Sequence, residues 1–174
     1  MRRFSVLWAL FLSLCLGPLA GRAGELRSYY PPLDAPSLAL SDLRGRARGL
    51  SDYGGRVVLV NFWATWCPPC VEEMPAIARL QQRFAARPFS VLAVNVGEPQ
   101  KRVAAFVKRA GVGLEVLLDS DSSAFEAWDA RLFPTSYLLD SSMRVRYRVL
   151  GPIDWEGDEA VAAVEALLAE IREE

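Results

Sequence analysis

The chain of 174 residues has the size of one compact domain, and 52% of its residues are hydrophobic, enough to form a core without multiple disulfides. Its formal net charge is −1 and it has no long run of like charges, so its composition gives no support to nucleic-acid binding. Histidine is absent, which excludes catalytic triads and metal sites that depend on an imidazole.

Residues 1–23 have the layout of a signal peptide. Arg2 and Arg3 form a positive start, Phe4–Leu16 is almost entirely apolar, and small residues precede Gly24. The alternative is an uncleaved membrane anchor, although the apolar segment is shorter than the roughly 20 residues of a spanning helix. We therefore expect a periplasmic or otherwise extracytoplasmic protein, in a compartment where disulfides persist. Any membrane association would run through this same segment.

The next segment, residues 24–36, is rich in tyrosine and proline and predicts an extended linker. Residues 37–174 are then expected to form the folded domain. This domain should begin with a β-hairpin, because two short strand candidates, Ser37–Leu40 and Ala47–Leu50, flank the turn Asp42-Leu43-Arg44-Gly45.

Strand and helix patterns then alternate along the chain. Val57–Trp63 is almost continuously apolar, as expected for a central strand covered on both faces. A helix should follow, because Ile77, Leu80 and Phe84 recur at helical spacing. The remaining predictions are strands at Phe89–Val96, Val116–Leu118, Thr135–Leu139 and Val145–Leu150, and helices at Gln100–Ala110, Ser122–Trp128 and Asp158–Ile171. This alternation predicts an α/β fold in which a mixed β-sheet is flanked by helices on both faces.

The reactive residues of the chain are concentrated in Cys67-Pro68-Pro69-Cys70, between the buried strand and the helix. At a helix N-terminus, free N–H groups and the positive end of the helix dipole favour a thiolate on the first cysteine. Cys67 is thus the expected nucleophile, and Cys70 the residue that resolves a mixed disulfide. Because Pro68 and Pro69 lack N–H donors, the thiolate is less stabilised and the pair should be comparatively reducing.

Three other uses of the two cysteines would be compatible with a closely spaced pair. A zinc site needs further soft ligands that the chain lacks, and an inert disulfide would close too short a loop to constrain the unfolded chain. A copper-handling assembly protein, with Cys67 and Cys70 as Cu(I) ligands, stays open as the alternative function. No resident cofactor or metal is predicted, since the redox-active disulfide is itself the working group.

Glu73 is the third candidate for catalysis. It follows Cys70 by one helical turn and shares the inward stripe with Ile77, whereas Glu72 shares the opposite face with Arg79. A partly buried carboxylate has a raised pKa and can exchange protons with Cys70. The alternative is an ordinary solvated glutamate.

Four residues are expected to bind substrate: Trp66, Phe133, Pro134 and Thr135. With a cis Pro134, the backbone of Phe133 would lie beside the cysteines and offer its N–H and C=O to an extended substrate chain. Trp66 directly precedes Cys67 and would shield one side of the pair, or simply pack at the strand end.

Several runs of the sequence match those of one family. They are Ala35-Pro36 before the first hairpin, Leu50–Cys70, which contains Asn61-Phe62-Trp63-Ala64-Thr65-Trp66-Cys67-Pro68-Pro69-Cys70, then Glu73-Met74-Pro75, Phe133-Pro134-Thr135 and Gly151-Pro152-Ile153-Asp154-Trp155. On these residues the chain resembles the TlpA/ResA-like branch of the thioredoxin superfamily, from residue 33 to about residue 170. The run that ends in the two cysteines is much more specific than a bare pair of cysteines.

The resemblance implies a thioredoxin-like fold with an N-terminal β-hairpin and a central insertion, roughly Lys101–Asp119. It also implies a cis Pro134, and an acidic Glu73 near the cysteines. Members of this branch are extracytoplasmic thiol-disulfide oxidoreductases. Many reduce protein disulfides in cytochrome c or oxidase assembly and take electrons from a membrane thiol donor. Members devoted to cytochrome c maturation commonly have Gly before the cis proline and Glu after it, where this chain has Phe133 and Thr135. The client protein is therefore not identified by the resemblance.

Overall fold

The computed structural model describes residues 24–171, so the predicted signal peptide, residues 1–23, lies outside the described residues. The described part is organised by one eight-stranded β-sheet. Its strands are β1 (Leu26–Asp34), β2 (Ala39–Asp42), β3 (Ala47–Gly49), β4 (Val57–Trp63), β5 (Phe89–Val96), β6 (Glu115–Asp119), β7 (Thr135–Leu139) and β8 (Arg144–Leu150). The α-helices are α1 (Pro68–Arg83), α2 (Gln100–Ala110), α3 (Ser123–Ala127) and α4 (Asp158–Glu170), and Leu50–Tyr53 forms a short 3-10 helix before β4.

The sheet is mixed, with the strand order β1-β8-β7-β4-β5-β6-β2-β3. The pairs β4/β5 and β5/β6 are parallel, and the other neighbouring strands are antiparallel. Parallel neighbours need a crossover connection, and α1 and α2 supply it. The carboxyl ends of β4 and β5 therefore lie at the same edge of the sheet, and the two cysteines follow β4 at that edge. The predicted α/β fold with a mixed sheet is confirmed.

The side chains of β4 alternate between two apolar cores. Leu59 and Trp63 face a cluster shared with α1, α2 and α4, whereas Val60 and Phe62 face a second cluster that includes residues of α3. Every residue of β4 is buried. Burial of each such large side chain stabilises the fold by about 1.5–3 kcal/mol, so β4 is a rigid support for the turn that follows it.

The prediction of a linker at residues 24–36 is wrong, although its extended conformation is correct. Residues Leu26–Asp34 form β1, an edge strand that pairs antiparallel with β8, for example Leu26 with Val149. The register is interrupted between Ser28 and Leu33, in the stretch that holds the prolines. Proline is compatible with an edge strand at such an interruption, because no ladder hydrogen bond is lost there.

The predicted hairpin and insertion are both present. β2 and β3 pair antiparallel, and Asp42 orders the turn between them by accepting hydrogen bonds from the amides of Arg44 (2.8 Å) and Arg46 (2.9 Å). The insertion forms α2 and β6, and β6 joins the hairpin to β5. None of the helices between residues 24 and 171 combines the length and the apolar character that a bilayer crossing requires.

Candidate active site

The two cysteines are joined as a disulfide at the first turn of α1. Their sulfur atoms are 2.10 Å apart and their Cα atoms 5.3 Å apart. Cys67 is the N-cap residue of α1, and Pro68 and Pro69 occupy the first helical positions, where a missing N–H leaves no helical hydrogen bond unmade. The helix starts where it does because this Pro-Pro pair follows a residue in extended conformation.

The amide of Cys70 donates to Sγ of Cys67 at 3.3 Å. The two prolines have no amide hydrogen, so Cys70 provides the first backbone donor of the helix to this sulfur. This is the arrangement that the sequence predicts for the pair. One backbone donor, rather than three, is available to stabilise a thiolate at Cys67.

The exposure of the two cysteine residues differs in the predicted order, but both are more buried than expected. Cys67 is 4% exposed and Cys70 is fully buried. Both belong to the same apolar cluster as Trp63 and Met74, which explains why Cys67 is not openly exposed. A reagent or substrate approaching from solvent therefore meets Cys67 first.

Glu73 points inward, as the helical spacing predicts, and is 6% exposed, whereas Glu72 is exposed. Oε1 accepts a hydrogen bond from Nδ2 of Asn61 at 2.9 Å, and Oε2 accepts one from Nε1 of Trp155 at 3.1 Å. Burial raises the pKa of Glu73 to about 7, against the opposing effect of donors on Asn61, Trp155 and the backbone of Ile153. The carboxyl group can therefore gain or lose a proton near neutral pH.

Asn61 connects Glu73 to the sheet. It is 1% exposed and lies on β4, and its Nδ2 also donates to Oγ of Ser136 on β7 at 2.9 Å. Trp155, which is buried on the loop after β8, covers Glu73 from the other side. The sequence marked Trp155 only as part of a shared run, since nothing in its position reveals which buried acceptor its indole N–H meets.

The Phe133–Pro134 peptide bond is cis, as the resemblance implies. The ring of Trp66 meets that of Phe133 edge to face at 5.4 Å, and Phe133 stacks on Phe125 of α3 at 4.7 Å. Trp66 is 62% exposed, so its ring is largely open to solvent instead of enclosed in the protein. These aromatic residues form an apolar surface that continues from the interior to the exposed Trp66.

Thr135 differs from its prediction as a substrate-binding side chain. It is fully buried, and its hydroxyl group donates to the carbonyl oxygen of Leu132 at 2.7 Å. The neighbouring carbonyl oxygen of Pro134 is also engaged, since it accepts a hydrogen bond from the amide of Gly151, just after β8, at 2.9 Å. The side chain of Thr135 therefore stabilises the local backbone and is not available to a substrate.

Sequence reasoning also missed Glu98, which lies in the turn after β5. It is 4% exposed, and its carboxylate accepts hydrogen bonds from the amide and the hydroxyl of Thr65, both at 2.6 Å. Thr65 belongs to the turn before Cys67. The sequence gives no signal that Glu98 holds the turn before Cys67, because its partner Thr65 lies in a different loop, after β4.

The disulfide closes the first turn of a helix that directly follows the central strand of a mixed sheet. A cysteine pair in this position performs thiol-disulfide exchange, and the architecture around it is that of a thioredoxin-fold oxidoreductase. Comparison with known proteins agrees: the chain belongs to the Redoxin family, whose model matches residues 33–168.

Several similar proteins carry the name thiol-disulfide oxidoreductase ResA, and two of them illustrate the likeness. The protein from Geobacillus thermodenitrificans is 38% identical over 122 residues, which cover 70% of each chain. The protein from Bacillus subtilis is 39% identical over 118 residues, which cover 68% of this chain and 66% of the relative. The chain is accordingly a ResA-like thiol-disulfide oxidoreductase.

Solved structures agree with this assignment. A thiol:disulfide interchange protein of the thioredoxin family from Chlorobium tepidum is 27% identical, with a TM-score of 0.69 over 79% of this chain and 97% of that chain. A DsbF homologue from Corynebacterium diphtheriae has a TM-score of 0.73 at 19% identity, covering 87% of this chain and 97% of its own, and supports the fold alone.

Proposed function

We propose that the protein reduces disulfides of protein substrates outside the cytoplasm, with Cys67 as nucleophile, Cys70 as resolving cysteine and Glu73 as proton acceptor. The observation that carries this proposal is the disulfide at the start of α1, in which Cys67 retains some exposure and Cys70 has none. The cysteine pair is the redox group, and the reaction needs no added cofactor.

The reaction begins with both cysteines reduced. The Cys67 thiolate attacks one sulfur of the substrate disulfide, which forms a mixed disulfide and releases the other substrate sulfur as a thiolate. The Cys70 thiol then loses its proton and attacks Sγ of Cys67. This second step closes the Cys67–Cys70 disulfide and releases the remaining substrate thiolate, so the substrate gains the two electrons that the pair loses.

Glu73 is the proposed acceptor of the Cys70 proton. Cys70 is fully buried, so its thiol has no direct route to bulk water. Glu73 lies one helical turn further along α1, and its pKa of about 7 suits it to accept a proton at neutral pH and release it afterwards. Asn61 and Trp155 hold the two carboxylate oxygens in place.

The aromatic surface beside the disulfide is the proposed substrate-binding surface. Trp66 and Phe133 would contact apolar side chains next to the substrate cysteine, and the backbone at Phe133 and Pro134 would pair with an extended substrate segment. A membrane thiol donor would return the cysteines to the dithiol form. Clients in cytochrome c or oxidase assembly are consistent with the resemblance to ResA-like proteins.

The cysteine roles are tested by trapping. Cys70→Ala should accumulate mixed disulfides with client proteins, because the thiol that releases the client is missing, and mass spectrometry of the adducts would identify the clients. Cys67→Ala is the matched control and should trap almost none. Equal trapping by the two variants would contradict the assignment of the nucleophile, and failure of the reduced wild type to reduce any protein disulfide would contradict the function.

The location is tested separately. The layout of residues 1–23 supports export, with a mature N-terminus at Gly24. N-terminal sequencing of protein from the extracytoplasmic fraction should give Gly24 as the first residue. Recovery of the full-length chain in membranes alone would favour the anchor, and recovery in the cytoplasm would refute export.

A further inference from the structure

The buried carboxylate of Glu98 joins two connections at the edge of the sheet where the cysteines lie. Glu98 follows β5, and Thr65 follows β4, whose last residue, Trp63, is paired with Asn95. Because β4 and β5 are parallel, the turns at their carboxyl ends are neighbours. This adjacency places Glu98 next to the residue that begins the approach to Cys67.

The contacts of Glu98 are numerous for a single side chain. Oε2 accepts from the amide of Thr65 (2.6 Å) and from Nδ2 of Asn95 (2.8 Å), and Oε1 accepts from the hydroxyl of Thr65 (2.6 Å). Thr65 lies within a turn that closes on the nucleophile itself, since the amide of Cys67 donates to the carbonyl oxygen of Ala64 at 3.2 Å. Glu98 thus holds the turn that leads into the disulfide.

Glu98 also places a charge beside the turn that leads to Cys67. Burial acts to raise its pKa, but the hydrogen bonds from Thr65 and Asn95 and the charge of Arg102 outweigh it, and the pKa lies below its ordinary value. The carboxylate is therefore ionised at neutral pH. Its nearest positive charge, Nη1 of Arg102, is 3.8 Å away on a side chain that is 65% exposed, so solvent weakens the compensation.

We propose that Glu98 is a positioning residue of the thiol-disulfide reaction: it fixes the Ala64–Cys67 turn, and its charge makes the Cys67–Cys70 pair more reducing. The proposal rests on the assignment of Cys67 as nucleophile. A negative charge near Cys67 destabilises the thiolate of the reduced form and leaves the neutral disulfide unaffected. The oxidised form is therefore favoured, which makes the dithiol the stronger reductant.

The size of the effect follows from distance. Thr65 and Cys67 are two positions apart in sequence, so their Cα atoms are at most about 7 Å apart. A unit charge roughly 10 Å from the sulfur, at an effective dielectric constant of about 20, changes the ionisation constant of a thiol by about tenfold. Two other titratable groups lie on the elements around this site: Glu73 one helical turn after Cys70 on α1, and Arg102 of α2, 3.8 Å from Glu98. Both are retained in the variants that change Glu98.

Two substitutions separate charge from geometry. Glu98→Gln removes the charge, while its amide can still accept from the N–H of Thr65 and donate to its hydroxyl. Glu98→Asp keeps the charge but is shorter by one methylene, so it reaches Thr65 less well. The pKa of the Cys67 thiol is measured in the reduced proteins from the pH dependence of the alkylation rate, alongside thermal unfolding.

We expect Glu98→Gln to lower the Cys67 pKa by about one unit, a tenfold change in the ionisation constant. Glu98→Asp should lower the melting temperature but leave the Cys67 pKa near that of the wild type. At a pH where the thiolate dominates, the equilibrium of Glu98→Gln with dithiothreitol should move toward the reduced protein by up to about tenfold. An unchanged pKa in Glu98→Gln, or an equal shift in both variants, would overturn the proposal.

Two further variants complete the test. Arg102→Glu changes a side chain that is 65% exposed and should raise the Cys67 pKa. An unchanged value in the folded variant would refute the electrostatic part, whatever the outcome for Glu98→Gln. Glu165→Gln is a distant control. The carboxylate it removes pairs with Arg87, which lies past the end of α1 opposite to Cys67, and α1 is about 24 Å long. This substitution should leave the pKa of Cys67 unchanged. These measurements need no protein substrate. A failure to reduce client proteins would therefore contradict the proposed function without testing the role of Glu98.

Discussion

The buried carboxyl group of Glu73 should make the stability of the oxidised protein depend on pH in a way that one substitution removes. Glu73→Gln keeps the size of the side chain and resembles the protonated acid, but it has no charge to bury. The test compares the free energy of unfolding of wild type and variant at pH 5 and pH 8. The disulfide is kept intact, so the cysteines do not titrate.

The sign follows from the direction of the pKa shift. The pKa of Glu73 rises from 4.5 to about 7 in the folded protein, so between these values the folded state holds a proton that the unfolded chain has released. Stability therefore falls as the pH rises through this window, and the loss is complete above about pH 7. A shift of this size corresponds to about 3 kcal/mol, of which about 2.5 kcal/mol falls between pH 5 and pH 8.

The assay is urea unfolding of both proteins followed by tryptophan fluorescence at each pH. Relative to wild type, Glu73→Gln should gain about 2.5 kcal/mol in unfolding free energy on going from pH 5 to pH 8. Any constant penalty from the altered hydrogen bonds cancels in this comparison. Glu72→Gln, at the exposed neighbouring position, is the matched control and should show no such gain. A difference between wild type and Glu73→Gln that is the same at both pH values would refute the reasoning.

Three further outcomes are expected. Glu73→Gln should slow the reduction of a model disulfide protein by about 10²–10⁴-fold at neutral pH, and its rate profile should lose the inflection near pH 7. Rate profiles from pH 5 to 9 that overlay those of the wild type would exclude a proton-transfer role. Brief iodoacetamide treatment of the reduced protein should label Cys67 in preference to Cys70, since only Cys67 has any exposure, and peptide mapping that finds mainly labelled Cys70 would reverse the two roles. Trp155→Phe should raise the pKa of Glu73, because the indole N–H donates to the ionised carboxylate, so the midpoint of the pH dependence of the reduction rate should move upward. A downward movement would mean that entry of water into the site dominates.

Local patterns were sufficient to predict the centre of the molecule. Val57–Trp63 is apolar throughout and forms the buried strand β4, because a strand covered on both faces needs no polar alternation. Cys67 lies at the start of α1 because the Pro-Pro pair fits a helix N-terminus and no later turn. The inward direction of Glu73 follows from the same helical period that buries Ile77.

Residues 24–36 show where local reasoning fails. Tyrosine and proline at this density resemble a linker, yet Leu26–Asp34 pairs with β8. The pairing depends on backbone groups of a strand more than a hundred positions away, and local composition does not indicate a partner at that distance. The resemblance implied a cis Phe133–Pro134 bond, whereas the residue pattern by itself left the isomer undecided.

Residue types and local spacing were enough to predict the candidate reactive cysteines and the strand and helix that carry them, because those features depend on side-chain type and on spacing within one element. The surroundings of these cysteines, by contrast, became visible only in the folded molecule. Trp155 reaches Glu73 from a loop after β8, and Glu98 reaches Thr65 from the end of β5. The pKa of a buried group is set by neighbours brought together from distant parts of the chain, since burial and hydrogen bonding are properties of the folded state.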